Sequence, residues 1–386
     1  MNQEIINILN KRHKQSLNRE FTEFVKNIED PSAIVIDGKK VINFCSNDYL
    51  RMSVNPNVMQ AMHNGINLYG VGSGGTRNIS GTTKAHMELE VTIALLHKKT
   101  SSLLFSSAYN ANVGALSAIG KNISNIAFFS DAENHASIIH GINLSKAQKF
   151  VYKHNNLLHL EELLQTNTQY KAVIVCESIY SMSGTKTDLN KISQLAQKYN
   201  ATTYVDEVHA VGLYGNSSGI ANQQNAEIDI INGTFGKAFG CIGGYIASST
   251  KMCEFIKAFA TTFIFSTSLP PSICLACNVA IKESQSLELQ KQFWDKVTLL
   301  KKCLQKHNIP IIQTDSHIIS ISVPSSNKVK YASKTLLNNY NIYVQPIFYP
   351  TVPIGKEILR ITVSPFHTDE SLAYFASSIR TILEGI

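Results

Sequence analysis

The stretch IDIINGTFGKAFGCIGGY, residues 228–245, opens with a short apolar run, Ile228 to Ile231, that reads as a buried strand ending at Asn232-Gly233. Thr234, Lys237 and a crowd of glycines follow. Gly233, Gly236, Gly240, Gly243 and Gly244 allow the backbone to pass close to something bulky. Lys237 stands between Gly236 and Ala238, with Phe235 and Phe239 on either side. Desolvation of that kind lowers an amine pKa and favours the neutral nucleophile that a Schiff-base lysine requires. Lys237 is therefore the candidate attachment point for an aldehyde cofactor. Taken alone, a Gly-Lys pair reads better as a surface lysine in a loop, so the rest of the chain must decide.

Upstream of this stretch, strands and helices alternate. Runs at Ser101–Phe105, Ile126–Phe129, Ala172–Cys176 and Thr202–Val205 read as strands, and residues 85–98 and 189–199 read as helices. That alternation implies an α/β fold whose mostly parallel sheet is covered on both faces, with ligands gathering beyond the carboxyl ends of the strands. Five such ends carry polar residues in succession: Ser107, His135, Glu177, Asp206 and the pair Thr234/Lys237. One could be an ordinary cap; five argue for a shared site. Residues 1 to about 30 read as a polar amphipathic helix, and 33–36 and 41–45 as a β stretch. Past residue 307, β runs at 318–323, 342–345 and 358–363 alternate with helices at 329–339 and 368–384, an α+β pattern. The expected organisation is 1–45 as an N-terminal helix and β stretch, 46–290 as a large cofactor-binding domain, and 291–386 as a small domain.

Composition narrows the classes. The chain has 386 residues, 44% hydrophobic and 16% charged, with a net charge of +7 and no basic block with interleaved aromatics, which argues against nucleic acid. Seven cysteines are scattered, several in apolar runs, and read as reduced thiols of a reducing, cytoplasmic compartment. Cys274-Leu-Ala-Cys277 lacks a second pair or histidines at ligand spacing, so it reads as packing, and no metal site is expected. No run of about 18 apolar residues suggests a membrane span. Gly70-x-Gly72-x-x-Gly75 follows a helix-like segment rather than a strand, which excludes a dinucleotide fingerprint and leaves a loop with Thr76, Arg77 and Asn78 as donors.

A pyridoxal phosphate site would use this set well. Its phosphate wants helix N-terminal N–H groups and hydroxyls, which Ser107-Ala108-Tyr109 and Thr234 can supply. Its ring nitrogen wants a carboxylate, and Asp206 follows the apolar pair Tyr204-Val205. His209 could reach the phenolic oxygen, His135 could stack on the ring, and Lys237 closes the set.

FCSNDYL (44–50), GSGGTRNISGT (72–82), FSSAY (105–109), SDAENHAS (130–137), YVDEVHAVGLYG (204–215), INGTFGKAFG (231–240), FSTSLPP (265–271) and QPIFYPTVP (345–353) together resemble the α-oxoamine synthases. These are fold-type I pyridoxal phosphate enzymes that join an amino acid to an acyl-CoA and release CO2. The resemblance runs from about Arg19 to the C-terminus. It implies a large domain with a mostly parallel sheet flanked by helices, a smaller α+β C-terminal domain, and a homodimer whose sites are shared. It assigns Lys237 the cofactor attachment and the proton transfers, Asp206 the pyridine nitrogen, His209 the phenolic oxygen, Ser181 a contact with the ring, and His135 the stack. Ala108, Tyr109 and Thr234 match the phosphate cradle, and Ser266 and Thr267 the phosphate contacts made from the partner subunit. Asn47 and Arg360 match the groups holding the amino-acid substrate. Arg19, Thr76 and Asn78 match those holding a distal acyl carboxylate, and Ser130 and Glu177 match residues near the reacting centre.

The acyl pocket implied by Arg19 and Thr76 points to the branch that condenses glycine with succinyl-CoA, giving 5-aminolevulinate, CoA and CO2 for haem and porphyrin biosynthesis. The alternative is a sister synthase using another acyl-CoA, as 8-amino-7-oxononanoate synthase and 2-amino-3-ketobutyrate CoA ligase do. The chain departs from the family pattern at Arg51, Ser183, Thr185, Phe348 and Ile354, the last two in the segment matching the active-site lid.

Overall fold

The computed structural model describes residues 1–386 and divides into two compact units. The larger comprises Asn47–Ser181 and Thr185–Gln290; the smaller comprises Met1–Ser46, Met182–Gly184 and Lys291–Ile386.

The large unit is built on seven strands: β1 (Ser101–Phe105), β2 (Ile126–Asp131), β3 (Gln148–Tyr152), β4 (Lys171–Glu177), β5 (Thr202–Asp206), β6 (Ile230–Thr234) and β7 (Gly244–Ser248). Their order across the sheet is β1-β7-β6-β5-β4-β2-β3, with β7 antiparallel to both neighbours and the remaining pairings parallel. Every residue of β2, β6 and β7 is buried, as expected where helices cover both faces of a sheet. Apolar side chains from one face, including Leu103, Phe128, Val173, Tyr204, Ile230 and Ile246, pack with Ala111, Ala115, Leu116 and Ile119 of the helix Ala108–Asn122. Small residues let that helix lie close: a Cβ at Gly141 in the next helix would stand 2.8 Å from the carbonyl oxygen of Asn112.

Two sequence expectations need correction here. The strand expected over 228–231 runs instead through Asn232 and Gly233 to Thr234. Asn232 tolerates burial because its amide is hydrogen-bonded at the strand end, and Gly233 is needed because the Tyr245 ring fills the space its side chain would take. The edge strand β3, Gln148–Tyr152, is not among the strands read from the sequence: its apolar residues are only three, and of the five only Tyr152 is buried.

The small unit holds a four-stranded sheet ordered Val25–Lys26, Ala33–Ile36, Lys39–Asn43 and Ile342–Tyr343, in which Ile34, Val41 and Tyr343 form a local core. A second sheet of three strands runs Ile319–Ser322, Ile358–Ile361 and Pro346–Ile347. The expected helix over residues 1 to about 30 covers only Asn2–Lys14, and none of its residues is buried. It stops at Gln15, and Ser16 adopts a left-handed conformation with φ 55°.

Candidate active site

The parallel strands β2, β4, β5 and β6 deliver polar residues to one edge of the sheet. Asp206, the last residue of β5, is 2% exposed. Its carboxylate accepts N–H donors from Asn112 (2.7 Å), Asn232 (2.9 Å) and the backbone of Val208 (3.0 Å). The next residue, Glu207, points the other way, as strand alternation requires. It binds the backbone N–H groups of Ile220 (3.0 Å) and Ala221 (2.7 Å), and burial pushes its pKa up to about 7. Two adjacent acids thus have separate tasks, one structural and one facing the site.

On β4, Glu177 is 2% exposed and accepts the backbone N–H of His135 at 2.6 Å. Burial and the neighbouring Asp206 charge push its pKa well above the usual carboxylate range, against the smaller opposing effects of that N–H and of Lys237. His135 caps the helix Ala136–Ser145 and sits edge-on to Tyr109, with ring centroids 6.2 Å apart. Partial burial lowers the His135 pKa; Asp206 acts in the opposite sense and Lys237 reinforces the lowering. His209 is buried, with Nδ1 2.8 Å from the hydroxyl of Tyr49, which also reaches Asn47 at 3.4 Å. Lys237 follows β6 in a turn where Phe235, Ala238 and Phe239 are 0% exposed.

The Thr234 hydroxyl accepts the N–H of Gly236 (3.1 Å) and donates to the carbonyl of Gly243 (3.0 Å). Beside it the helix Ala108–Asn122 begins, capped by Ser107, and a Cβ at Gly244 would collide with the backbone nitrogen of Ala108. Tyr109 is 41% exposed. The segment 265–268 crosses the glycine loop through a bridge between Thr76 and Thr267 and a Ser268 N–H to Gly75 bond of 3.0 Å. The Thr76 hydroxyl there is buried without a hydrogen-bond partner, Ser266 is half-buried, and Asn78 is exposed. Arg77, expected to be a donor in this loop, is instead held by Glu90 through contacts of 2.7 and 3.1 Å. Ser130 is buried, accepting from Asn134 at 2.9 Å, and Ser181 is half-buried. In the small unit, Arg360 lies on the central strand of the three-stranded sheet, opposite Ser320. Arg19 reaches the Thr351 hydroxyl at 3.4 Å, beside a cavity of about 530 Å³ lined by Lys330, Lys334, Tyr343 and Phe348.

Sequence reasoning missed Asn112, Asn232 and Tyr49. The only signal for Asn112 is a lone amide among Ala111, Val113, Gly114 and Ala115, where a helix core offers it no reason to be polar.

These residues fit pyridoxal phosphate on observations of the protein itself. A buried carboxylate is dressed only with neutral donors, which leaves its charge for a cationic ring nitrogen. A helix N-terminus beside a hydroxyl and a glycine-cleared backbone suits a phosphate.

The fold and site define a pyridoxal phosphate-dependent enzyme of the aminotransferase class I and II family, whose profile matches residues 39–379. A serine palmitoyltransferase from S. paucimobilis with bound PLP and myriocin superposes with a TM-score of 0.91 at 26% identity, covering 99% of this chain and 97% of that one. The chain is 46% identical to 5-aminolevulinate synthase of Rickettsia bellii over 92% of its own length and 87% of that protein's. It is 42% identical to the non-specific mitochondrial 5-aminolevulinate synthase of Opsanus tau, covering 95% of this chain but 59% of that longer protein. The chain belongs to the family of 5-aminolevulinate synthases.

Proposed function

We propose that the protein condenses glycine with succinyl-CoA, giving 5-aminolevulinate, CoA and CO2. The observation that carries the reading is the Asp206 carboxylate, buried at the end of β5 and held by three N–H donors, on the sheet edge that also presents Glu177 and Lys237. When bound, pyridoxal phosphate supplies the electron sink for carbanion chemistry at the glycine α-carbon. Lys237 would hold the cofactor and, with its amine free, would take the α-proton of glycine on Nζ. Asp206 would keep the ring nitrogen protonated, His209 would hold the phenolic oxygen, Ser181 would contact the ring, and His135 would stack on it. Ala108, Tyr109 and Thr234 bind the phosphate.

Arg360 and Asn47 orient glycine, the guanidinium pairing with its carboxylate in the fork geometry arginine favours. Arg19, Thr76 and Asn78 recognise the distal carboxylate of the succinyl group. The unpartnered hydroxyl of Thr76 supports that role, since a buried hydroxyl calls for a ligand oxygen. Glu177, its pKa raised by burial and the Asp206 charge, lies near the reacting carbons, and Ser130 is a further substrate-binding residue. Ser266 and Thr267 reach the phosphate of a second copy in a homodimer. No helix is long and apolar enough to cross a membrane, and the seven cysteines are free thiols, which suits a cytoplasmic enzyme.

The test is a panel of acyl-CoA donors with glycine, following CoA release. Succinyl-CoA is expected to give the highest kcat/KM; faster turnover of pimeloyl- or acetyl-CoA would overturn the assignment in favour of a sister synthase. In the same preparation, Lys237→Ala is expected to lose the borohydride-sensitive visible band of the bound cofactor. Persistence of that band would move the attachment site elsewhere.

A further inference from the structure

The residues behind Asp206 and His135 form a single line of hydrogen bonds whose protons can all be assigned. The carboxylate of Asp206 can only accept, so it fixes the orientation of the Asn112 amide, and the hydroxyl of Tyr204 donates to Asn112 Oδ1 at 2.8 Å. One Nδ2–H of Asn112 donates to Asp206 Oδ2 at 2.7 Å, and the other to Ser137 Oγ at 2.9 Å. Ser137 Oγ lies 2.7 Å from His135 Nδ1, and the Ser137 backbone N–H also points at that nitrogen, at 3.3 Å. A backbone N–H can only donate, so Nδ1 is an acceptor. The Ser137 hydroxyl, already accepting from Asn112, therefore gives its own proton to Nδ1. Tyr204 and Asn232 are 0% exposed, Asn112 and Ser137 1%, and Asp206 2%, so water does not compete for these groups.

We infer that Asn112 is a positioning residue for the reaction, joining the carboxylate of Asp206 to the ring of His135 through Ser137 and holding His135 as the tautomer with its proton on Nε2. The inference deepens the pyridoxal phosphate reading and rests on it for what Asp206 and His135 face. Its consequence is that two groups addressing opposite aspects of the cofactor ring share one amide. Asp206 keeps its orientation because Asn112 and Asn232 pin the same oxygen, Oδ2, from two elements, the helix Ala108–Asn122 and β6. His135 keeps its tautomer because Ser137 has an acceptor role that only Asn112 fills. Removing the Asn112 side chain frees the Ser137 hydroxyl to turn and takes one of the two amide donors from Asp206 Oδ2. Removing only the Ser137 hydroxyl breaks the histidine branch and leaves the carboxylate branch whole.

Two variants, Asn112→Ala and Ser137→Ala, separate the branches, and neither readout needs turnover. The first readout is the tautomer of His135 in 15N-histidine-labelled, cofactor-free protein, from two-bond proton–nitrogen correlation spectra with His135→Gln as the assignment control. The second is the dissociation constant of pyridoxal phosphate by equilibrium dialysis. The wild type is expected to show His135 protonated on Nε2 alone. Ser137→Ala leaves only the longer backbone N–H on Nδ1, at 3.3 Å, and is expected to shift the His135 signals from the single tautomer towards a mixture while binding the cofactor within about twofold of wild type. Asn112→Ala is expected to shift them in the same sense and to bind the cofactor about tenfold or more weakly, the loss typical of a hydrogen bond to a charged group. Unchanged His135 signals in both variants, or cofactor binding unaffected by Asn112→Ala, would overturn the inference. Should Asn112→Ala not fold, Asn112→Ser replaces it in the dialysis and Ser137→Ala still decides the histidine branch. A wild-type protein that binds no pyridoxal phosphate would sink the functional reading instead, and the tautomer measurement would still score the hydrogen-bond line.

Discussion

The pKa of Glu177 is pushed up for reasons that have nothing to do with its sequence neighbours. It is 2% exposed, stands beside Asp206, and its only strong donor in the structure is the His135 N–H at 2.6 Å. Its pKa in the folded chain lies well above the ordinary carboxylate value, so the native state binds a proton that the unfolded state has released. Between the two pKa values stability falls as pH rises, since the unfolded state binds fewer protons there. Glu177→Gln mimics the protonated carboxyl and removes that dependence. Urea denaturation followed upward in pH from the ordinary carboxylate range is expected to show a smaller loss of stability for the variant than for the wild type. Parallel losses would mean that Glu177 is ionised throughout. The variant is also expected to retain more activity than Glu177→Ala, because it still offers a donor. At this scale the sequence shows the chemistry-bearing side chains and hides their supports. Lys237, Asp206 and His209 stand out because each interrupts an apolar or glycine-rich run, and His135 because it lies in a polar stretch just past the apolar strand β2. Asn112 and Asn232 cannot be recognised without knowing that helix Ala108–Asn122 and β6 converge on one carboxylate oxygen.

Among the elements, the turn after Ile342–Tyr343 in the small unit shows how one departure from the family pattern is accommodated. Phe348 is 8% exposed, and the Lys330 ammonium lies 4.5 Å from its ring centroid. Lys330 also donates to the carbonyl of Asn18 at 2.8 Å, and Arg19 reaches Thr351 at 3.4 Å. One lysine on the helix Ser326–Tyr340 therefore ties the segment that carries Arg19 to the segment matching the lid. A cation–π contact of this kind contributes about 0.5–1 kcal/mol at exposed sites and more when desolvated. Lys330→Met is expected to raise the KM for succinyl-CoA about two- to fivefold while leaving the KM for glycine unchanged. Steady-state kinetics with each substrate varied in turn would check it, and an equal change in both KM values would place the effect on the fold. The same unit shows why the strands were easier to read than their ends. Runs such as Ala33–Ile36 carry a continuous apolar signal. Where the helix Asn2–Lys14 ends is set by a left-handed Ser16 that composition does not announce. The edge strand β3, whose solvent-facing residues need no apolar signature, is illegible for the same physical reason.

For the molecule as a whole, the surface beside the glycine loop argues for a second copy. Val71 is 81% exposed, Ile79 83% and Phe265 78%, and the last two flank the bridge between Thr76 and Thr267. Large apolar side chains left open in this way around a polar site mark an interaction surface. The residues between them, Ser266 and Thr267, are those the family resemblance gives to the phosphate of the other subunit's site. In the two-fold dimer proposed above, each site would combine Lys237 of one chain with Ser266 of the other. Complementation follows from that geometry. Lys237→Ala lacks the attachment lysine, and Ser266→Glu sets a negative charge against the phosphate, so each homodimer is expected to be inactive or nearly so. Unfolding and refolding the two variants together in equal amounts gives mixed dimers, half of the total if pairing is random. One of the two sites in each mixed dimer is then built from two unaltered residues. Activity is therefore expected to recover to roughly a quarter of the wild-type value. Sedimentation velocity on the same samples should show a dimer, and Ile79→Asp with Phe265→Asp should shift it towards monomer. A mixture no more active than the mean of its two parents would place Ser266 in the same site as its own Lys237.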